Sequence, residues 1–328
     1  MEIDMSQSIS RGPCRLPPGS DLVTDADEEV FLLYTSLAAK NTQSTGDGFR
    51  GLGYLDNHKD VLTLEFTVPL PQKKSEARNT SRKRKAYKSR GDVENLQKTL
   101  EVQLAQDKTA LRSRKGDTGS VLWRASAEFA QFALKESVST SPTALLDQER
   151  LAEAHVLELG YLRAGTALLA IVLSSLVRQY TVTDIEDLIP LITKNLSLNN
   201  LPLSSSAPQA SSHKVTAEAL DWVLLKNSPP SVRQTAFSYP QIDLLLVVDC
   251  IYHPSLLRPL VETINYLATP ERTAVLVLVE LRQEDVVREF LELWLLAGEG
   301  AWEIWHVESG MEGPYAMWIG WKKAIKSP

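Results

Sequence analysis

Apolar and polar residues alternate in two short stretches of the first third of the chain. Val61–Val68 (VLTLEFTV) and Leu100–Leu104 (LEVQL) put an apolar residue at every second position, the period of a half-buried β-strand. The two predict a hairpin whose tip is the long polar stretch between them. Glu28–Ala39 (EEVFLLYTSLAA) predicts one helix. Residues 1–27 are polar and carry the breakers Arg-Gly-Pro and Pro-Pro-Gly, so this segment is expected to be disordered or frayed.

From about residue 118 the pattern changes. Ser126–Leu134 predicts a helix. His155–Leu159 (HVLEL) is a short apolar strand ending at Gly160, and Gly165–Arg178 reads as a long apolar helix. Gln179–Thr183 (QYTVT) is strand-like and ends at Asp184. A helix is expected over Asp187–Asn195, a Ser/Pro/Asn loop over 199–215, and a strand over Val215–Trp222. Ile242–Val248 (IDLLLVV) is a buried strand ending at Asp249, and Ala274–Glu280 (AVLVLVE) is another. Helices are expected at Leu256–Tyr266 and Gln283–Leu296. Trp302–Val307 and Tyr315–Lys322 close the chain as two strands joined by Glu-Ser-Gly-Met-Glu-Gly-Pro, which is turn chemistry.

Nearly all-apolar strands alternating with helices mean a parallel sheet covered on both faces, with right-handed crossovers. The terminal pair has no intervening helix, so the last strand is expected to run antiparallel. The organisation read from this is a frayed 1–27, an N-terminal β extension over 28–117, and an α/β domain over 118–328.

Charge adds one feature. The 328 residues carry 35 basic and 41 acidic side chains, a net −6, which excludes a globally basic nucleic-acid binder. Yet Lys73–Arg90 holds nine basic residues and one acid. This segment is poor in apolar residues, so 70–95 reads as a disordered basic insertion in the extension. Lys83–Lys85 is either an RNA- or ribosome-contacting patch, a nuclear-import signal, or a solvated loop. Two cysteines, Cys14 and Cys250, exclude a disulfide scaffold and a Cys-rich zinc site. His213 and His306 have no ligand-like spacing, so no metal is expected. His155 is expected in the core, His253 at the surface, and Cys250 as an inert buried thiol. No secretory signal or stretch long enough to span a bilayer is read. The location expected is cytoplasmic, with nuclear entry as the open alternative.

In open α/β sheets ligands bind beyond the carboxyl ends of the strands. Four strands here end in chemistry: Glu158-Leu-Gly160, Asp184, Asp221-Trp222 and Asp249. A glycine turn lets backbone approach a ligand. An acid at the second strand end suits ribose hydroxyls. Asp221 and Trp222 suit an adenine edge and face. Each has a plainer reading: a tight turn, a helix cap for Asp184, core packing for Trp222, an ion pair for Asp249. Together they describe an adenosine site. Neither Gly-x-Gly-x-x-Gly nor a P-loop is present, and an acidic pocket suits a cationic sulfonium better than a pyrophosphate.

These residues resemble the seven-β-strand methyltransferases, and within them the family 16 protein-lysine methyltransferases, including the fungal ribosomal lysine methyltransferase group. The likeness is carried by Thr118–Trp123, Val156–Gly160, Val182–Asp184, Leu220–Trp222, Asp249–Tyr252, Glu280–Arg282, Gly313–Tyr315 and Trp318–Trp321. It implies a Rossmann-like, seven-stranded sheet and S-adenosyl-L-methionine as cofactor. Trp123, Glu158, Gly160, Tyr161, Gly165, Asp184, Trp222 and Val248 would then meet the cofactor, with Asp249 and Tyr252 catalytic, where a substrate lysine enters. The partner implied is a ribosomal protein. One departure is present: relatives carry Glu-Leu-Gly-x-Gly, whereas Tyr161-Leu162-Arg163 stands where the second glycine belongs. A non-catalytic RNA- or ribosome-docking module on a degenerate methyltransferase fold is the alternative this leaves open. For the enzymatic reading, methyl transfer is an in-line displacement by a neutral amine. A lysine, with a pKa of about 10.4 in water, needs desolvation or nearby positive charge to lose its proton. Asp249 is therefore expected to orient the amine rather than act as a strong base.

Overall fold

The computed structural model describes residues 11–43, 53–56, 58–69, 97–107, 121–161, 166–201, 214–308 and 310–324. The basic insertion, Leu162–Gly165 and His213 lie outside them.

Among the described residues there are ten strands: β1 Asp21–Val23, β2 Val61–Pro69, β3 Gln97–Ala105, β4 His155–Leu159, β5 Gln179–Asp184, β6 Lys214–Ala219, β7 Leu244–Val248, β8 Ala274–Glu280, β9 Trp302–His306 and β10 Tyr315–Lys322. The helices are α1 Ala26–Gln43, α2 Arg124–Ser137, α3 Gln148–Ala152, α4 Leu168–Leu173, α5 Ile189–Leu198, α6 Trp222–Asn227, α7 Pro230–Ala236, α8 Pro254–Leu267 and α9 Glu284–Gly300.

Eight strands form one sheet in the order β1-β9-β10-β8-β7-β4-β5-β6. β4 pairs parallel with β5 and β7, as do β5 with β6 and β7 with β8. β10 runs antiparallel to both β8 and β9. The α/β fold is therefore Rossmann-like, with an antiparallel last strand and β1 added as an eighth strand outside β9.

The continuous apolar runs of the central strands serve two cores. Leu244, Leu246 and Val248 face the core under the hairpin, α2 and α4, whereas Leu245 and Val247 face the one under α6, α8 and α9. Alternate side chains of one strand thus bury on opposite faces, as a two-sided parallel sheet requires. Gly320 in β10 leaves room for the Trp294 ring of α9, which sits where a Cβ would lie.

β2 and β3 pair antiparallel from Val61↔Ala105 to Pro69↔Gln97, forming the expected hairpin. Edge strands expose unpaired backbone groups, and here amide side chains meet some of them. Gln131 accepts from Thr67 N (3.0 Å) and donates to Thr67 O (2.8 Å). Asn195 and Asn199 do the same for Ala105 and Gln103 on the other edge. The extension is thereby held against α2 and α5.

Several expectations change. The segment expected to fray is ordered from residue 11: Arg15 N donates to Leu145 O (2.8 Å) and Asp147 N to Pro13 O (2.9 Å), with Cys14 and Val23 buried. The strand expected to reach Trp222 stops at Ala219, because Asp221 caps α6, its carboxylate accepting from Val223 N and Leu224 N at 2.8 and 3.0 Å. The helix expected over Gly165–Arg178 is shorter, α4 passing into a 3-10 turn at Ser174–Leu176. Helices α3 and α7 are additions.

Candidate functional site

The order β7-β4-β5-β6 places four carboxyl ends side by side. At a strand spacing of 4.7–4.9 Å, they span about 15 Å. Val248–Asp249, Leu159–Gly160, Asp184 and Leu220–Trp222 therefore share one edge of the sheet. The strand order reverses between β4 and β7, the usual ligand crevice of such sheets.

Asp184 ends β5 fully buried, and its Oδ1 accepts from Ile185 N (2.8 Å). It caps no α-helix. Gly160 N donates to Thr183 O (3.0 Å), fixing the start of the turn after β4. Glu158 lies one layer below. Tyr180 Oη donates to its Oε2 at 2.8 Å. Burial raises the Glu158 pKa to about 8, with the neighbouring Asp184 charge adding to the rise and the Tyr180 hydrogen bond opposing it.

Tyr161 links the two halves of the edge. Its ring packs on Trp222 with centroids 5.2 Å apart, and its carbonyl accepts from Tyr252 Oη at 2.9 Å. Trp222 is fully buried, and its Nε1 has no hydrogen-bond partner among the described residues. Asp221 is given to the α6 cap, so it does not present both carboxylate oxygens to an adenine edge. Gly165, expected to contact the cofactor, lies outside the described residues.

Asp249 follows β7 in the left-handed region, φ +56°. That conformation is costly for a non-glycine residue, and the surroundings hold it. Arg282 Nη1 donates to Oδ1 (3.1 Å) and Nη2 to Oδ2 (2.9 Å), while Asp249 N donates to Leu278 O (2.8 Å). Arg282 also bonds Glu280, and its guanidinium lies over the Trp123 ring, 4.8 Å from the centroid. Trp123 in turn packs on Tyr54 (4.4 Å). The two buried carboxylates raise the Arg282 pKa against the desolvation that lowers it.

The sequence reading assigns Arg282 no role, although it stands two residues beyond the last residue of a buried strand, the spacing that returns a side chain to the same face. Tyr180 as partner of Glu158 and Tyr54 as partner of Trp123 are likewise absent from it, since both pairings depend on tertiary packing. His155 is buried between Gln241 O (3.1 Å) and Thr181 Oγ1 (2.9 Å). Cys250 is buried against Leu159 O, and His253 caps α8. Among the described residues no acid, His or Cys cluster is arranged to hold a metal, and no helix is long and apolar enough to cross a membrane.

The residues fit an adenosine-bearing cofactor. A carboxylate at the end of β5 is the acceptor that ribose hydroxyls would call for, and Trp222 Nε1 is a buried donor with no hydrogen-bond partner among the described residues.

Comparison with known proteins gives a family match. A model of the family described as "Lysine methyltransferase" matches residues 103–294. The chain is 30% identical over 197 residues to a Schizosaccharomyces pombe protein named diaminohydroxyphosphoribosylamino-pyrimidine deaminase, covering 58% of this chain and 41% of that one, so it spans less than half of that relative. It is 27% identical over 230 residues to the ribosomal lysine N-methyltransferase 5 of Eremothecium gossypii, covering 59% of this chain and 71% of the relative. Among solved structures, the Methanococcus jannaschii fibrillarin pre-rRNA processing protein aligns at a TM-score of 0.38 with 11% identity, over 69% of this chain and 91% of that one. With the family model matching well over half its length, and with the strand-end geometry described above, the chain belongs to the lysine methyltransferase family.

Proposed function

We infer that this chain is an S-adenosyl-L-methionine-dependent protein-lysine N-methyltransferase whose substrate is a ribosomal protein. The observation that carries the reading is the convergence of Gly160, Asp184, Trp222 and Asp249 on one edge of four adjacent parallel strands. The name of the Eremothecium gossypii relative supports the choice of substrate class.

When bound, S-adenosyl-L-methionine supplies an electrophilic methyl group. The protein's part is positioning and solvent exclusion. Asp184 would bind the ribose, with Gly160, Tyr161 and the backbone of Val248 along the rest of the cofactor. Trp222 would back the adenine through Tyr161, which covers its face. Trp123 would wall the crevice on the Arg282 side.

Asp249 and Tyr252 would flank the incoming lysine. Asp249 is gripped by Arg282, so its charge is offset. It would therefore orient the amine without holding it as an ammonium. Because Asp249 and Glu280 both sit on Arg282, the cluster carries no net positive charge, and the neutral nucleophile would depend on desolvation in the channel and on the positive charge of the bound cofactor. Tyr252, tied to the Tyr161 carbonyl, would order the turn at the channel.

Incubating the purified protein with methyl-labelled cofactor and a ribosomal fraction tests the activity, with labelled lysine identified by mass spectrometry. Calorimetry with the cofactor alone tests the site. Binding heat together with labelled ribosomal lysine supports the reading. Absence of heat at high protein concentration supports the non-catalytic docking module instead.

A further inference from the structure

A groove of ≈ 700 Å³ opens beside the candidate site. Its walls are β1, the first three turns of α1, and residues 306–308 and 310–315 around the ends of β9 and β10. That volume lies within the ~300–1,000 Å³ of ligand-binding clefts.

Its lining is of two kinds. Asp21, Asp25, Glu28 and Glu308 are exposed carboxylates along it, and none is in an ion pair among the described residues. His306 is the lone basic side chain of the lining, and it faces the buried Glu29 at 3.6 Å. Between the acids lies apolar surface: Leu32 is 54% exposed and Leu22 48%, with Leu33, Leu37 and Met311 partly buried. Large side chains left in water this way, rimmed by charge, mark interaction surfaces.

The groove runs into the edge that carries Asp249. Leu281 lines it, between Glu280 and Arg282. Tyr315 also lines it and lies opposite Glu280 in the β10–β8 register, while Leu281 N donates to Pro314 O (2.7 Å). The groove therefore ends at residues that adjoin Glu280 and Arg282 in the chain and in the β10–β8 pairing.

We propose that this groove docks an extended segment of the substrate protein in which basic residues alternate with apolar ones, next to the lysine to be methylated. The proposal rests on the protein-lysine methyltransferase reading. Charge complementarity selects the occupant: the acids meet the basic side chains, and Leu22, Leu32 and Met311 meet the apolar ones. The groove would act on substrate affinity and leave cofactor binding and chemistry untouched.

The test uses the full chain and two fluorescein-labelled short peptides, one alternating Lys/Arg with Leu and one with Gln in place of every basic residue. Anisotropy should show the basic peptide binding, with affinity falling as salt rises. In the Glu28→Lys/Glu308→Lys double variant, its Kd should rise by about tenfold, with melting temperature and cofactor heat unchanged. Leu32→Asp should weaken binding without altering the melt. On a ribosomal fraction the double variant should raise KM and keep kcat. Equal binding of the neutral peptide, or an unchanged Kd in both variants, would overturn the proposal. So would a loss of self-association in sedimentation as the only effect of the variants, which would mark the groove as a contact between copies. Failure of the underlying reading is separate: it shows as no cofactor heat in the wild type, whatever the peptide does.

Discussion

Arg282 holds Asp249 with two separate nitrogens on two separate oxygens, at 3.1 and 2.9 Å, while Asp249 itself sits at φ +56°. A bidentate fork of this kind fixes the carboxylate in both position and plane. It also explains how a residue in a costly conformation, at a fully buried position, is kept there.

Removing that fork leaves Asp249 and Glu280 as buried carboxylates without their cation. Breaking a buried pair costs ~3–5 kcal/mol. The Arg282 side chain keeps 22% of its exposure, which places Arg282→Ala at the lower end. Arg282→Lys should recover only part of the loss, since an ammonium cannot reproduce the fork. Urea denaturation measures this, and an unchanged midpoint for Arg282→Ala would refute the account.

Glu158 makes stability depend on pH. Its folded pKa is about 8 against an ordinary 4.5, so between those values the unfolded chain has released a proton that the folded chain retains. Stability must then fall as pH rises through that window, and level off above it. Glu158→Gln should flatten this part of the profile and raise the melting temperature at pH 8 relative to wild type. A wild-type melt that does not decline more steeply than the variant's over that interval would remove Glu158 as the cause.

Asp184→Asn tests the ribose assignment. Hydrogen bonds to a charged group contribute ~1.5–3 kcal/mol, so cofactor affinity should drop roughly ten- to a hundredfold by calorimetry. Retention of full affinity, with the circular dichroism spectrum intact, would take Asp184 out of the site.

Gly320→Ala tests the packing of β10 on α9. An added methyl would run into the Trp294 ring, and overpacking costs ~1–3 kcal/mol. The melting temperature should fall by several degrees, whereas Gly310→Ala, with open space around its Cβ position, should fall only through its positive φ.

The central strands were legible because burial on both faces leaves only apolar residues to choose from, as in Leu244–Val248 and Ala274–Glu280. Their terminal residues followed, and with them Gly160, Asp184 and Asp249. The hairpin was legible from its period of two. The boundary at Trp222 was not, because an apolar residue after a strand looks like more strand until Asp221 is seen to cap a helix. The N-terminal segment from residue 11 was misjudged for a related reason. Its few anchors, Cys14 and Val23, find partners distant in sequence, and its Gly and Pro residues shape turns. Arg282 was hidden in plain view, since its importance lies in what it touches.

The hairpin has a consequence for how the chain can change. Pro69 and Gln97 are paired across the two strands, so the two ends of the stem lie side by side. Lengthening a connection between such ends costs little, about 0.6 kcal/mol per doubling. The amides of Gln131, Asn195 and Asn199 hold the stem whatever is attached to it. This makes the position a natural grafting site, where a tag, a targeting sequence or a whole small module could be attached while the eight-stranded sheet goes on folding as before.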